Sequence, residues 1–231
     1  MTADDVRAAL RRLASPAKAA VLQRFFKTGQ GQYGEGDVFL GVMVPDQRRV
    51  ARQFAALPLD AVAELLAGPI HEERLTALVI LVNRFSRAAP PERKRIYAFY
   101  LRHRARVDNW DLVDLSAPYI VGPCAPLDKL VQLARSRSLW DRRIAMVATF
   151  HAIRAGNPAP ALRIAGLLLA DPHDLIHKAA GWMLREAGKR CGEDVLEHFL
   201  ACHAPAMPRT MLRYAIERLP EARRRAWLRG T

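Results

Sequence analysis

Almost every segment of this chain sets its apolar residues three and four positions apart, and no convincing stretch alternates them one for one. The first spacing is that of a helix with 3.6 residues per turn, and without the second there is nothing to build a sheet from. DVRAALRRLA, PAKAAVLQRFF, PDQRRVARQFAAL, LDAVAELLA and EERLTALVILVNRF carry the pattern through the N-terminal part. PPERKRIYAFYLRH, PLDKLVQLARS, WDRRIAMVATFHAIRA, PALRIAGLLLA, LIHKAAGWMLREAGKR, GEDVLEHFLACH and PRTMLRYAIERL continue it. Prolines fall between these units or just inside their starts, where a missing N–H costs a helix little. The expectation is an all-α protein of about a dozen helices joined by short turns.

Some units recur in kind. LWDRRIAMV and LIHKAAGWM share an apolar–basic–apolar order, with Arg143 and Lys178 at matching places 35 residues apart, and HEERLTALV with Arg74 is a looser third copy. A helix-pair period of that length predicts a HEAT-like α-α superhelix, one domain over residues 1–231, whose successive second helices line a concave cationic groove. A plain helical bundle is the alternative. One segment, KTGQGQYGEGDVFLG at residues 27–41, has no helical period. Its G-x-G-x-x-G at Gly29, Gly31 and Gly34 follows a helix in a chain without strands, so it is not a dinucleotide fingerprint. A flexible loop or short hairpin, able to touch a phosphate, is expected there.

Lys and Arg number 36 against 23 Asp and Glu, a formal net charge of +13. Charge of this size speaks to partners rather than fold, and nucleic acid is the first candidate ahead of a merely soluble basic surface. It disfavours a protein–protein adaptor. Cys124, Cys191 and Cys202 include no C-x-x-C pair, so neither a disulfide framework nor a thiolate zinc site is indicated. No metal or organic cofactor is expected. The start MTADDVRAALRRLA is charged where a signal peptide is apolar, and no uncharged run approaches the ~20 residues of a membrane span. A cytoplasmic monomer that does not associate with membranes is the expectation.

Against this basic background, RVDNWDLVDLSAPYIVG at 106–122 places Asp108, Asp111 and Asp114 around Trp110. Asp108 and Asp111 fit the cap and first turn of a helix, where acids are favoured. Asp114 lies further in, one turn from Trp110 on the same face, and a carboxylate on that apolar helix needs a partner. A salt bridge to Arg143 or another arginine would supply one; so would a reacting cation. If corresponding helices line one surface, Trp110, Asp114, Arg143, Lys178 and Trp182 converge on it, although Trp182 taken alone reads as core and Trp140 as packing. The chemistry that suits one carboxylate, two indoles and cations is hydrolysis of an N-glycosidic bond. Ordinary glycosidases need two carboxylates, one of them to protonate the leaving group. A purine alkylated at N3 or N7 is already cationic and leaves unprotonated, so one suffices.

NWDLVD at 109–114, LWDRRIAM at 139–146 and IHKAAGWMLRE at 176–186, with FLGV and PDQRR nearer the N-terminus, give a sequence that resembles the AlkD-type DNA alkylation repair enzymes over most of the chain. These are HEAT-like-repeat DNA glycosylases that excise N3- and N7-alkylpurines from duplex DNA, in base excision repair, without a base-flipping pocket. The resemblance implies that Asp114 is the catalytic carboxylate, that Trp110 and Trp182 pack against the lesion's deoxyribose, and that Arg143 is the basic group at the cleft. Lys178 and Phe25 complete the expected DNA-facing set. The sequence departs from the family in two places. An early cleft tyrosine is replaced at QRFFK by Phe25, or by Phe26 one position on, and the glycine-rich segment is longer than in the compact form. The competing expectation is a non-catalytic HEAT-like protein that binds damaged or branched DNA, or RNA, with Asp114 merely salt-bridged.

Overall fold

The computed structural model describes residues 1–230, and within them every named element is a helix. The only β contact there is an isolated parallel bridge between Val38 and Ile70. The helices start as the sequence dictates. At α1 (Ala3–Arg11), Thr2 and Asp5 form a reciprocal capping box. Proline occupies the first turn of α2 (Pro16–Phe25), α3 (Val44–Gln53), α6 (Pro90–His103) and α11 (Ala159–Leu167). The chain divides into two compact units, Met1–Ser116 and the residues from Ala117 onward. The division falls within α7 (Trp110–Ile120).

In the first unit α5 (His71–Arg87) is the hub, packing on α1, α3, α4 (Leu59–Ala67) and α6. From Leu75 to Leu81 every side chain of α5 is buried, so the helix is surrounded rather than amphipathic. Complete burial of a Leu or Ile side chain is worth roughly 1.5–3 kcal/mol, and α5 collects several. The opposite extreme is α2, which buries no residue and leaves Val21 and Phe25 exposed.

In the second unit α8 (Leu127–Ala134) pairs with α9 (Leu139–Ala148), and α11 with α12 (Asp174–Cys191). First helix stacks on first, α8 on α11, and second on second, α9 on α12. Such stacking of like on like is what a HEAT-like repeat produces. Around α12 also lie α10 (Phe150–Arg154), α13 (Glu193–His203) and α14 (Arg209–Ala215), while α15 (Glu221–Arg229) closes the order. Gly181 lets α14 in: a Cβ there would stand 2.4 Å from the Met211 carbonyl oxygen. Among the described residues no helix is long and apolar enough to cross a membrane.

The basic position differs among the three copies. Arg74 is buried and pairs with Asp37 and Asp108, and Arg143 is buried too, whereas Lys178 keeps 40% of its side chain exposed. Nor is the glycine-rich segment a hairpin. It is a series of turns fastened by Gln23, whose amide N–H donates to the Asp37 carbonyl (3.2 Å) and whose amide oxygen accepts from Phe39 N–H (3.1 Å).

Candidate active site

The acidic stretch is anchored residue by residue to α5. His71, Glu72, Glu73 and Arg74, the first turn of that helix, are all buried, and each meets an opposite charge or a donor. The Glu72 carboxylate accepts from the N–H groups of Leu40, Gly41 (2.8 Å) and Val42 (3.2 Å), so three successive amides of FLGV cradle one anion. Glu73 receives the Arg7 Nε–H at 3.2 Å. Arg74 donates to Asp108 (2.6 Å) and to Asp37. His71 stands between two carboxylates, with Nδ1 2.9 Å from Asp37 and Nε2 2.8 Å from Asp111.

Ionised carboxylates only accept, so both ring nitrogens of His71 must carry protons. Burial opposes that charge, but the hydrogen bonds and charges of Asp111 and Asp37 outweigh it and raise the imidazolium's pKa to about 9. Burial likewise works against ionisation of Asp37, and His71, Arg74 and Asn109 together hold its carboxyl below the ordinary range. Asn109, fully buried, donates to Asp37 (3.0 Å) and accepts the Trp110 N–H (2.8 Å), which sets the first residue of α7. Asp111 also accepts from Leu112 N–H at 2.8 Å. Asp108 and Asp111 therefore do more than lead the helix: they tie it to α5.

This ionic anchor carries an aromatic stack. Phe39 lies 4.5 Å from the His71 ring, Phe26 lies 5.0 Å from Phe39, and Trp110 lies 5.2 Å from Phe26, each pair within about 20° of parallel. Phe25 meets Trp110 edge-on, with centroids 6.0 Å apart, and is 60% exposed, whereas Phe26 is 7% exposed. Both candidates at QRFFK therefore touch Trp110, Phe26 from within the stack and Phe25 from the exposed side. The indole N–H of Trp110 donates to the Tyr33 hydroxyl at 3.3 Å. Asp114 follows one turn along α7, half-buried.

In the second unit Arg143, on α9, is 5% exposed and donates to the Leu175 carbonyl (2.6 Å) in the first turn of α12. Lys178 pairs with Asp174 (2.8 Å), and that bond is the main cause holding the Asp174 carboxyl below its ordinary range. Trp182 is half-buried, 6.1 Å from the Phe150 ring. Among the described residues no three His, Cys, Asp or Glu side chains are grouped as a metal site requires.

Sequence reasoning missed His71, Asp37, Glu72 and Tyr33. One signal was present: HEER joins directly onto the apolar run LTALVILV, so four polar residues enter a helix that is buried all round. The sequence profile described as "DNA alkylation repair enzyme" matches residues 6–219. The chain belongs to this DNA alkylation repair enzyme family. A solved structure, a predicted DNA alkylation repair enzyme from Enterococcus faecalis, is similar in fold to this family member. Its TM-score is 0.68 at 17% identity, over 90% of this chain and 97% of that one. No curated protein is significantly similar in sequence. Family membership points to repair of alkylation damage, hence to DNA as the partner of this basic protein.

Proposed function

We propose that this family member is a DNA glycosylase that releases cationic N3- and N7-alkylated purines from duplex DNA. The observation that carries the reading is the placement of Asp114 one helical turn beyond Trp110 on α7, a helix whose start is fixed to α5 by two buried ion-pair anchors. Anchoring of this kind holds a ring and a carboxylate in fixed relation without a ligand, which is what a preorganised site requires.

As the N-glycosidic bond of an alkylated purine lengthens, positive charge moves from the base onto the deoxyribose. The departing base needs no proton because it leaves neutral. The Asp114 carboxylate stabilises the sugar cation and orients the water that attacks it, while the electron-rich face of Trp110 packs against the sugar. A carboxylate about 4 Å from a developing unit charge, at an effective dielectric near 20, interacts by roughly 4 kcal/mol. Realised mainly in the transition state, that corresponds to nearly three powers of ten in rate. In the second unit Trp182 offers a further indole to the backbone, Lys178 meets phosphate, and Arg143 adds its charge while tying the first turn of α12. Phe25 presents a hydrocarbon edge. The reaction takes place without drawing the base into a pocket.

Release of free base from duplex DNA carrying 7-methylguanine, 3-methyladenine, uracil or hypoxanthine tests this reading. Both methylated purines are expected to be released and both neutral bases retained. Efficient uracil release, or no release from any duplex, contradicts it; the second result, with DNA binding intact, would favour a non-catalytic binder.

A further inference from the structure

The glycine-rich segment is built to deliver one side chain. Gly31 and Gly36 have φ of +74° and +83°, values that side-chain-bearing residues rarely adopt. Gly34 lies so close to the end of α2 that a Cβ would stand 2.4 Å from the Phe26 carbonyl oxygen. Its N–H donates to the Lys27 carbonyl at 3.2 Å, and the Gly31 N–H donates to the Glu35 carboxylate at 2.8 Å. These contacts fold residues 29–36 into tight turns on the surface. Within them Tyr33 alone points its ring inward far enough to be half-buried without being a glycine.

We infer that Tyr33 is a positioning residue for Trp110, and that the segment carrying it is part of the active site. Phe26 stacks on Trp110 with ring planes 18° apart, and Phe25 meets it edge-on. Stacking resists tilting of an indole but does little to stop it turning in its own plane. A hydrogen bond to the indole nitrogen supplies that restraint. Indole has a single donor and no acceptor, so at 3.3 Å the Tyr33 oxygen accepts from Trp110 Nε1–H. Its own proton faces the Phe25 carbonyl at 3.5 Å, a long contact that a closer acceptor on a bound nucleotide can displace. The hydroxyl that Phe25 lacks thus reaches Trp110 from a different segment.

The catalytic consequence rests on the glycosylase reading: a Trp110 free to turn would hold the sugar less well beside Asp114. Tyr33→Phe removes the hydroxyl and keeps the ring. The four tryptophans give four indole N–H resonances, and Trp110→Phe identifies the relevant one. In Tyr33→Phe that resonance alone should shift and exchange faster with water. Single-turnover release of 7-methylguanine should fall by about three- to tenfold, the range for loss of one neutral hydrogen bond, with duplex affinity unchanged within about twofold. An unmoved resonance overturns the inference. So does a shifted resonance with release at the wild-type rate. If the wild type releases no base, the glycosylase reading fails, and the resonance by itself decides whether Tyr33 holds Trp110.

Discussion

Each unit is organised around one long helix, α5 in the first and α12 in the second, yet the two rely on buried charge at their first turns to very different degrees. The head of α5 is HEER, four buried polar residues paired with Asp37, Asp111, Asp108, Arg7 and the amides of FLGV. The head of α12 keeps Asp174 and Lys178 partly exposed and paired with each other, takes one buried charge at its Leu175 carbonyl from Arg143, and gains closeness further along through Gly181. Apolar packing and a glycine contact hold two helices together but tolerate small slippage. A charge with two required partners does not, because displacement leaves an unpaired ion in a low dielectric. The rigid solution is found where Trp110 and Asp114 are mounted. In this account buried charge serves position rather than stability.

The contrast is broken most forcefully at Arg74. Arg74→Met takes the guanidinium from Asp37, which keeps His71 as its cation, and from Asp108, which keeps a long 3.9 Å contact to Arg106, and removing one partner of a buried pair costs about 3–5 kcal/mol. A large fall in Tm is expected, and a loss below about 1 kcal/mol would show that the cluster is no anchor. Raising the pH probes the same cluster without mutation. His71 has a folded pKa of about 9 against an ordinary 6.5, so its contribution is fully present below pH 6.5 and is lost as pH rises through 9. Between those values denaturant unfolding should show a decline of about 3 kcal/mol. His103, His151 and His173 have lowered values and act below this window. His71→Gln should flatten the slope; a profile as steep as the wild type's would assign the loss elsewhere. At the other end of the scale, Lys178→Ala removes an exposed i,i+4 pair and should cost no more than about 0.5 kcal/mol.

What the sequence disclosed and what it hid follow from the range of the interactions. Helices, their proline starts and the shared face of Trp110 and Asp114 are set within one or two turns, and period alone reveals them. The anchor is not local: Arg74 meets Asp37 and Asp108 across 37 and 34 residues, and His71 meets Asp111 across 40. Period places Arg74, Arg143 and Lys178 at like positions in their helices but says nothing of what each helix faces. Thus Arg74 and Arg143 are buried while Lys178 is partly exposed, a difference that period does not show. Tyr33 was hidden for the same reason, since turns built on glycine have no period to read.

The central claim is that the rigid mount exists to hold Asp114 against a developing sugar cation. Asp114→Asn keeps the shape and removes the charge. Single-turnover release of 7-methylguanine from a duplex, measured beside duplex affinity, tests it most directly. The account predicts a fall in release of about a thousandfold with affinity little changed. An Asn variant that excises the base at the wild-type rate would contradict it.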